Sequence, residues 1–328
     1  MNTTSSRTGR RRRGTRIAAA AAALMAAGTL VTAGAASAAP AHKPGLISSD
    51  WLTVVKETGE WNGDEPVMLT LRLESVLGQP GTTNVTLVNP TPAEIASGVD
   101  AGDTVRIPDR EGDAWFGTPA LTADAVLDAA AEGKPLPIPV VVTATVMLEG
   151  DMSNGAMIGA MGHTIAEHLQ RNLAAELADT KIVVDGDGTV SGLSDAIERI
   201  EAAAAPDSRL VTDLVLAKIS DWATSVGDPD DPVGVSLTAL IPVDESLVGL
   251  VGSPSALGLD SQYLSTVTHQ IRTTPFDTDV EVRTGLLVPP AALGGNVQQW
   301  TTTYKGDYVL DDPVEYRVAT QAWPQITW

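Results

Sequence analysis

Val67-Met68-Leu69-Thr70-Leu71-Arg72-Leu73-Glu74 is the stretch whose pattern decides the fold class. Val67, Leu69, Leu71 and Leu73 fall on one side of an extended chain, and Met68, Thr70, Arg72 and Glu74 fall on the other. That period of two is what a half-buried strand shows. Upstream, residues 51–56 predict a strand, and 57–64 form a polar turn between the two. Downstream, Gly78, Pro80 and Gly81 mark a turn. Residues 84–88 predict a third strand, and 102–108 a short one closed by Pro108.

Beyond these strands the period changes. Residues 122–132 predict a short helix, ended by Pro135, Pro137 and Pro139. The β-branched, uncharged run over 140–148 reads as a buried strand. The clearest helix covers 157–178, where Ile158, Met161, Ile165, Leu169, Leu173 and Leu177 recur at spacings of three and four. Residues 193–203 and 210–222 predict further helical pieces, the first capped by Ser191 or Ser194. Strand patterns return at 233–242, 278–288 and 304–318, and no repeat of fixed period occurs. The expected fold is α+β: an antiparallel β-sandwich built from 48–150 and 223–328, with an α-helical insertion over 151–222. Two domains divided near residue 150 are the alternative.

Ahead of the strands, Arg7, Arg10, Arg11, Arg12, Arg13 and Arg16 precede an uncharged, alanine-rich run over 17–31, and Ala36-Ser37-Ala38 follows. A basic start, a short apolar core and a small-residue exit predict a secretory signal peptide over 1–38, cut before Ala39, with 39–47 as a linker. Gly28 interrupts the apolar run, which is short for a membrane span, so no stable span is expected after cleavage. The expected location is extracellular. The long arginine-rich leader and alanine-rich composition resemble those of exported actinobacterial proteins.

The chain carries 21 Lys+Arg against 41 Asp+Glu, a formal net charge of −20. The leader holds six of those arginines and no acid, so its removal takes the charge to −26. Duplex nucleic acid and anionic lipid both require a basic patch, and no Lys/Arg cluster survives cleavage. Nucleic-acid binding is excluded on that ground. Acidity keeps an extracellular protein dispersed; its sharper reading is that some carboxylates converge on a cation. With no cysteine, disulfide staples, thiolate metal sites and cysteine nucleophiles are ruled out. Phe (2) and Tyr (4) are scarce, so Val, Leu, Ile and Ala must fill most of the core.

Two acidic turns each lead into a strand. One is Thr58-Gly59-Glu60-Trp61-Asn62-Gly63-Asp64-Glu65-Pro66; the other runs from Asp221-Trp222 to Gly227-Asp228-Pro229-Asp230-Asp231-Pro232-Val233-Gly234. Calcium takes six to eight oxygens in flexible geometry, which acidic loops at one tip of a sandwich can supply. The pair resembles two loops of the C2 domain family: Gly63-Asp64-Glu65-Pro66 the one before an early strand, Asp230-Asp231-Pro232-Val233-Gly234 the later paired-aspartate loop. The resemblance implies a C2-like sandwich with Ca²⁺ as cofactor and Asp64, Asp230 and Asp231 as ligands, Asp221 adding a fourth. Asp-Gly, Asp-Pro and Asn-Gly are also good turn formers, which is the plainer reading of the same residues.

Other motifs are weaker. Asp185-Gly186-Asp187-Gly188 lacks an EF-hand register, since Ala196 falls where the bidentate Glu belongs. A hairpin turn suits it better. His163 and His168 are five apart, about 140° around a helix, and do not share a metal. No nucleophile elbow or phosphate-binding glycine loop occurs. Carboxylate pairs and seven tryptophans (Trp51, Trp61, Trp115, Trp222, Trp300, Trp323 and Trp328) leave a sugar-stacking or glycosidase reading open. The expectation is therefore a secreted, acidic, non-enzymatic β-sandwich protein with Ca²⁺ as its implied cofactor. An extracellular hydrolase of polysaccharide or cell-wall glycan, and a cell-surface interaction protein, are the alternatives. A cell-wall or protein partner fits all three.

Overall fold

The computed structural model describes residues 43–57, 63–150, 155–178, 180, 183–184, 190–191, 231–251, 263–272, 276–308 and 313–326. The expected signal peptide, the helical pieces at 193–203 and 210–222, Asp221 and Asp230 lie outside these residues.

In chain order the elements begin with β1 (Gly45–Lys56), β2 (Pro66–Leu77), β3 (Asn84–Leu87), β4 (Thr104–Arg106), a four-residue α1 (Asp109–Gly112) and β5 (Asp113–Phe116). Next come α2 (Ala123–Glu132), β6 (Ile138–Glu149), α3 (Gly155–Ala178), β7 (Val183–Val184) and β8 (Val190–Ser191). The chain then forms β9 (Asp231–Pro242), α4 (Glu245–Val251), β10 (Leu264–Arg272), β11 (Phe276–Leu287), β12 (Gln298–Tyr308) and β13 (Val314–Trp323). The fold is mostly β with few helices. Among the described residues, eleven strands share one sheet in the order β3-β2-β6-β9-β11-β12-β13-β1-β4, with β10 also on β11 and β5 also on β1. No described helix is long and apolar enough to cross a membrane.

The sheet is mixed, which corrects the antiparallel expectation. β9 and β11 run parallel, from Gly234 beside Asp279 to Pro242 beside Leu287. Parallel neighbours need a long connection, and here α4 and β10 provide it. The chain passes beyond the place β11 will take, descends as β10, and returns as β11 between β10 and β9. Nothing in the local sequence of either strand distinguishes this order from a meander.

β11 and β12 pair only at Phe276–Tyr308, Asp277–Asp307 and Thr278–Gly306. Beyond that corner the sheet curls, and β12 passes so close over β9 that a Cβ on Gly234 would lie 3.0 Å from Tyr304 Cα. The curl brings Leu52, Val54, Tyr316 and Val318 of β1 and β13 into one buried cluster with Met68, Met147 and Val233 of β2, β6 and β9. Where β12 lies over β9 there is also a polar seam: Thr70 Oγ1 is 3.1 Å from Thr145 Oγ1, and Ser236 Oγ 2.8 Å from Tyr304 Oη. Buried hydroxyls are tolerable because each finds a partner. Burial pushes the Tyr304 phenol up to about 12.

The opposite face of β2, β6, β9 and β11 is aliphatic and is covered by the helices. β6 is buried along its whole length, as its uncharged run predicts. β2 differs from its half-buried expectation: Met68 and Thr70 are buried as well as Val67, Leu69, Leu71 and Leu73, because the curl covers the second face. On α3, Ile158, Met161, Ile165, Leu169 and Leu177 face the core. This helix approaches the β3 side through Gly155, Gly159 and Gly162; a Cβ on Gly159 would strike the Pro90 carbonyl. Gly159→Val is therefore expected to cost about 3 kcal/mol, the upper range for overpacking. Urea denaturation with an unchanged m-value is the check, and a loss below about 0.5 kcal/mol would mean that α3 can stand off from the sheet.

Candidate functional site: the acid-rich end of the sheet

Seven strand termini converge on one end of this sheet. Register fixes them pairwise: Pro66 opposite Glu149, Glu149 opposite Asp231, Gly234 beside Asp279, Phe276 opposite Tyr308, Gly306 opposite Val314, and Glu315 opposite Lys56. The two acidic turns therefore feed strands that are separated only by β6. Strand spacing is about 4.8 Å, so the starts of β2 and β9 lie about 10 Å apart.

Asp64 is the one predicted ligand whose side chain is described. It is fully buried, forms a bridge with Val99 in both directions at 3.1 Å, and accepts a 2.6 Å hydrogen bond from Tyr316 Oη at Oδ2. Asp231 opens β9 and its backbone pairs with Glu149. Asp230 and Asp221 lie outside the described residues.

Two partners of Asp64's neighbourhood carry no signal in the sequence. Glu149, the last residue of β6, is fully buried and accepts from the Glu65 amide at 3.2 Å, while Gly150 donates to the Glu65 carbonyl at 3.0 Å. Tyr316 sits on β13, 252 residues from Asp64, with its ring fully buried. Its phenol is held far above the ordinary range, first by burial, then by the negative charges of Asp64, Glu149 and Glu65. A neutral hydroxyl donor is thus fixed against a buried carboxylate. Three acids gathered around one phenol would be costly without such hydrogen bonds.

The acidic character continues across the corner. A cleft of about 270 Å³ is lined by Lys56, Gln270, Asp279, Lys305, Asp307 and Glu315, among others. Burial raises the Asp279 carboxyl, with Lys305 opposing and Glu315 reinforcing. Burial also acts to raise Glu315, but hydrogen bonds and charge from Lys305 (3.1 Å) and Arg317 (2.9 Å) outweigh it and leave Glu315 below the usual range. Beside β1, Ala101 donates to Glu57 at 2.9 Å. Among the described residues, no three of Asp, Glu and His come together as a metal-holding group.

The remaining sequence motifs find plainer roles. β7 and β8 pair antiparallel, Val183 with Ser191 and Val184 with Val190, while the acidic stretch at 185–188 lies outside the described residues. His163 and Glu167 are both exposed on α3. No family model, no curated protein and no solved structure matches the chain.

Proposed function

We propose that the mature protein is a secreted, non-enzymatic, acidic module of β-sandwich type, binding Ca²⁺ C2-fashion between the loops that enter β2 and β9. The observation that carries this reading is the register that sets Pro66, Glu149 and Asp231 side by side at one edge. The loops on either side of β6 are then within reach of a shared cation. Asp230 and Asp231 supply carboxylates from one loop, Asp221 from the segment before it, and Asp64 from the other, held in place by Tyr316. The clustered charge of Glu149, Asp279, Asp307 and Glu315 draws a divalent ion to this end and is lowered by it. The packing of β1 and β13 against β2, β6 and β9 supports the sandwich part of the proposal.

Isothermal titration of the mature chain with Ca²⁺ is the test. Saturable heat is expected, with a melting temperature several degrees higher, since ligand at a hundred times its Kd stabilises by about 2.7 kcal/mol. The Asp230→Asn/Asp231→Asn double variant is expected to lose both responses. No heat at millimolar Ca²⁺ together with an unmoved melting temperature would end the reading.

A further inference from the structure

The convex face of β5, β1, β13 and β12 carries three of the seven tryptophans. On β13 the even residues Val314 to Ala322 are buried, so the odd residues 315–323 look outward. Register places Trp115 and Trp323 on either side of Leu46, Asp113 and Gln321 on either side of Ser48, and Arg106 and Ala319 on either side of Trp51. Gln299 lies beyond Gln321 on β12. Directly paired residues share a face. A bulge between Ser49 and Trp51 shifts the alternation by one, and without it Trp51 would point into the core. Trp51 is instead 48% exposed, the most exposed large hydrophobic among the described residues. Trp115 and Trp323 are half-buried.

From this face we infer a binding platform for a neutral polysaccharide chain. Indole rings offer flat apolar surfaces to the C–H faces of sugar rings, and the side-chain amides of Gln299 and Gln321 offer both donors and acceptors to hydroxyls. Trp51 stands four β13 positions from Trp323, about 13 Å along the strand. That spacing suits a chain that lies across several sugar rings rather than a single small molecule. Local charges on the face pair among themselves, Arg106 with Asp109 at 3.0 Å and Arg317 with Glu315 at 2.9 Å. A net charge of −20 over the chain also argues against a polyanion. A protein partner would ask for an apolar centre to the patch. Here Leu46 lies between Trp115 and Trp323, but amides, hydroxyls and a carboxylate separate those two rings from Trp51, with Ser48 donating to Asp113 at 2.6 Å.

The inference does not depend on calcium. Its test is retention of the mature chain on four insoluble probes, cellulose, chitin, xylan and mannan, in EDTA and at high salt. Retention on at least one is expected. Trp51→Ala is expected to weaken it about tenfold with the melting temperature unchanged, as loss of one stacking ring predicts, while Trp51→Tyr retains most of it. Failure on all four polymers overturns the proposal. So does unaltered retention by Trp51→Ala, or retention that EDTA or salt abolishes, which would mark ionic adsorption.

Discussion

Arg283→Ala is expected to destabilise the protein by about 4 kcal/mol, because it strands a buried acid. Arg283 is 5% exposed and Glu281 8%, and the pair meets at 2.7 Å. The guanidinium also donates from Nε to Thr266 at 3.2 Å and from Nη1 to Thr302 at 3.1 Å, and lies 5.3 Å over the Trp300 ring. Burial disfavours the charge on Arg283, and Glu281 restores much of it. These contacts tie β10 and β11 to β12 just where the sheet curls. Removing the cation alone leaves Glu281 desolvated without its counter-charge. An Arg283→Met/Glu281→Leu double variant removes both charges and is expected to recover most of the loss, since a buried pair is often replaceable by apolar groups. Chemical denaturation of the two variants decides it. A single variant within about 1 kcal/mol of the parent would mean that water reaches Glu281.

The second large effect is expected at Tyr316. Tyr316→Phe removes the hydroxyl that Asp64 Oδ2 accepts and is expected to cost about 2 kcal/mol, typical of a hydrogen bond to a charged group. Asp64→Ala is expected to cost more, about 3 kcal/mol, because it also leaves a void beside a buried phenol. There is a pH signature as well. The folded-state phenol is raised above its ordinary value of 10.0, so its contribution is complete below pH 10.0 and falls as pH rises beyond it. The unfolded chain then releases a proton that the folded chain keeps, at about 1.4 kcal/mol per pH unit. Tyr316→Phe should flatten the alkaline limb of the stability profile by about one proton. An identical slope in parent and variant would place the alkaline sensitivity elsewhere.

Much of the fold was legible from local pattern. The uncharged run at 140–148 and the 3.6-residue stripe of α3 report burial directly, and the alternation at 67–74 marks one of the two faces that β2 buries. Thr122 caps α2 by accepting from Ala125, and Gly133 ends it in a left-handed conformation, close to the predicted bounds. Other elements leave little trace. β10 is exposed along Ser265 to Thr268, so its Ser and Thr residues show no period. The single strand expected over 304–318 is two, β12 and β13, and the first begins before that range, at Gln298. β1 starts at Gly45, within the stretch read as linker. The parallel order of β9 and β11 is a property of the path between them, which neither strand's residues encode.

The site divides in the same way. The two acidic turns stand out because Asp and Gly cluster in short spans of sequence. The strands they lead into are near neighbours because β6 pairs with β2 on one side and β9 on the other, and that follows from the register of three strands. Glu149 looks like the polar end of a buried strand, and Tyr316 like an inward residue of an alternating one. Only three-dimensional proximity makes either one a neighbour of Asp64.

Luminescence of Tb³⁺, which takes calcium's oxygen ligands, tests the shared site most directly. Trp61 lies three residues before Asp64, and Trp222 next to Asp221, so an ion held between the two turns has indole donors within a few residues on both sides. The expected result is tryptophan-sensitised emission from the chain lacking residues 1–38, displaced by Ca²⁺ and abolished in Asp230→Asn/Asp231→Asn. Absence of sensitised emission, or emission that Ca²⁺ does not displace, would contradict a common cation site at this end of the sheet.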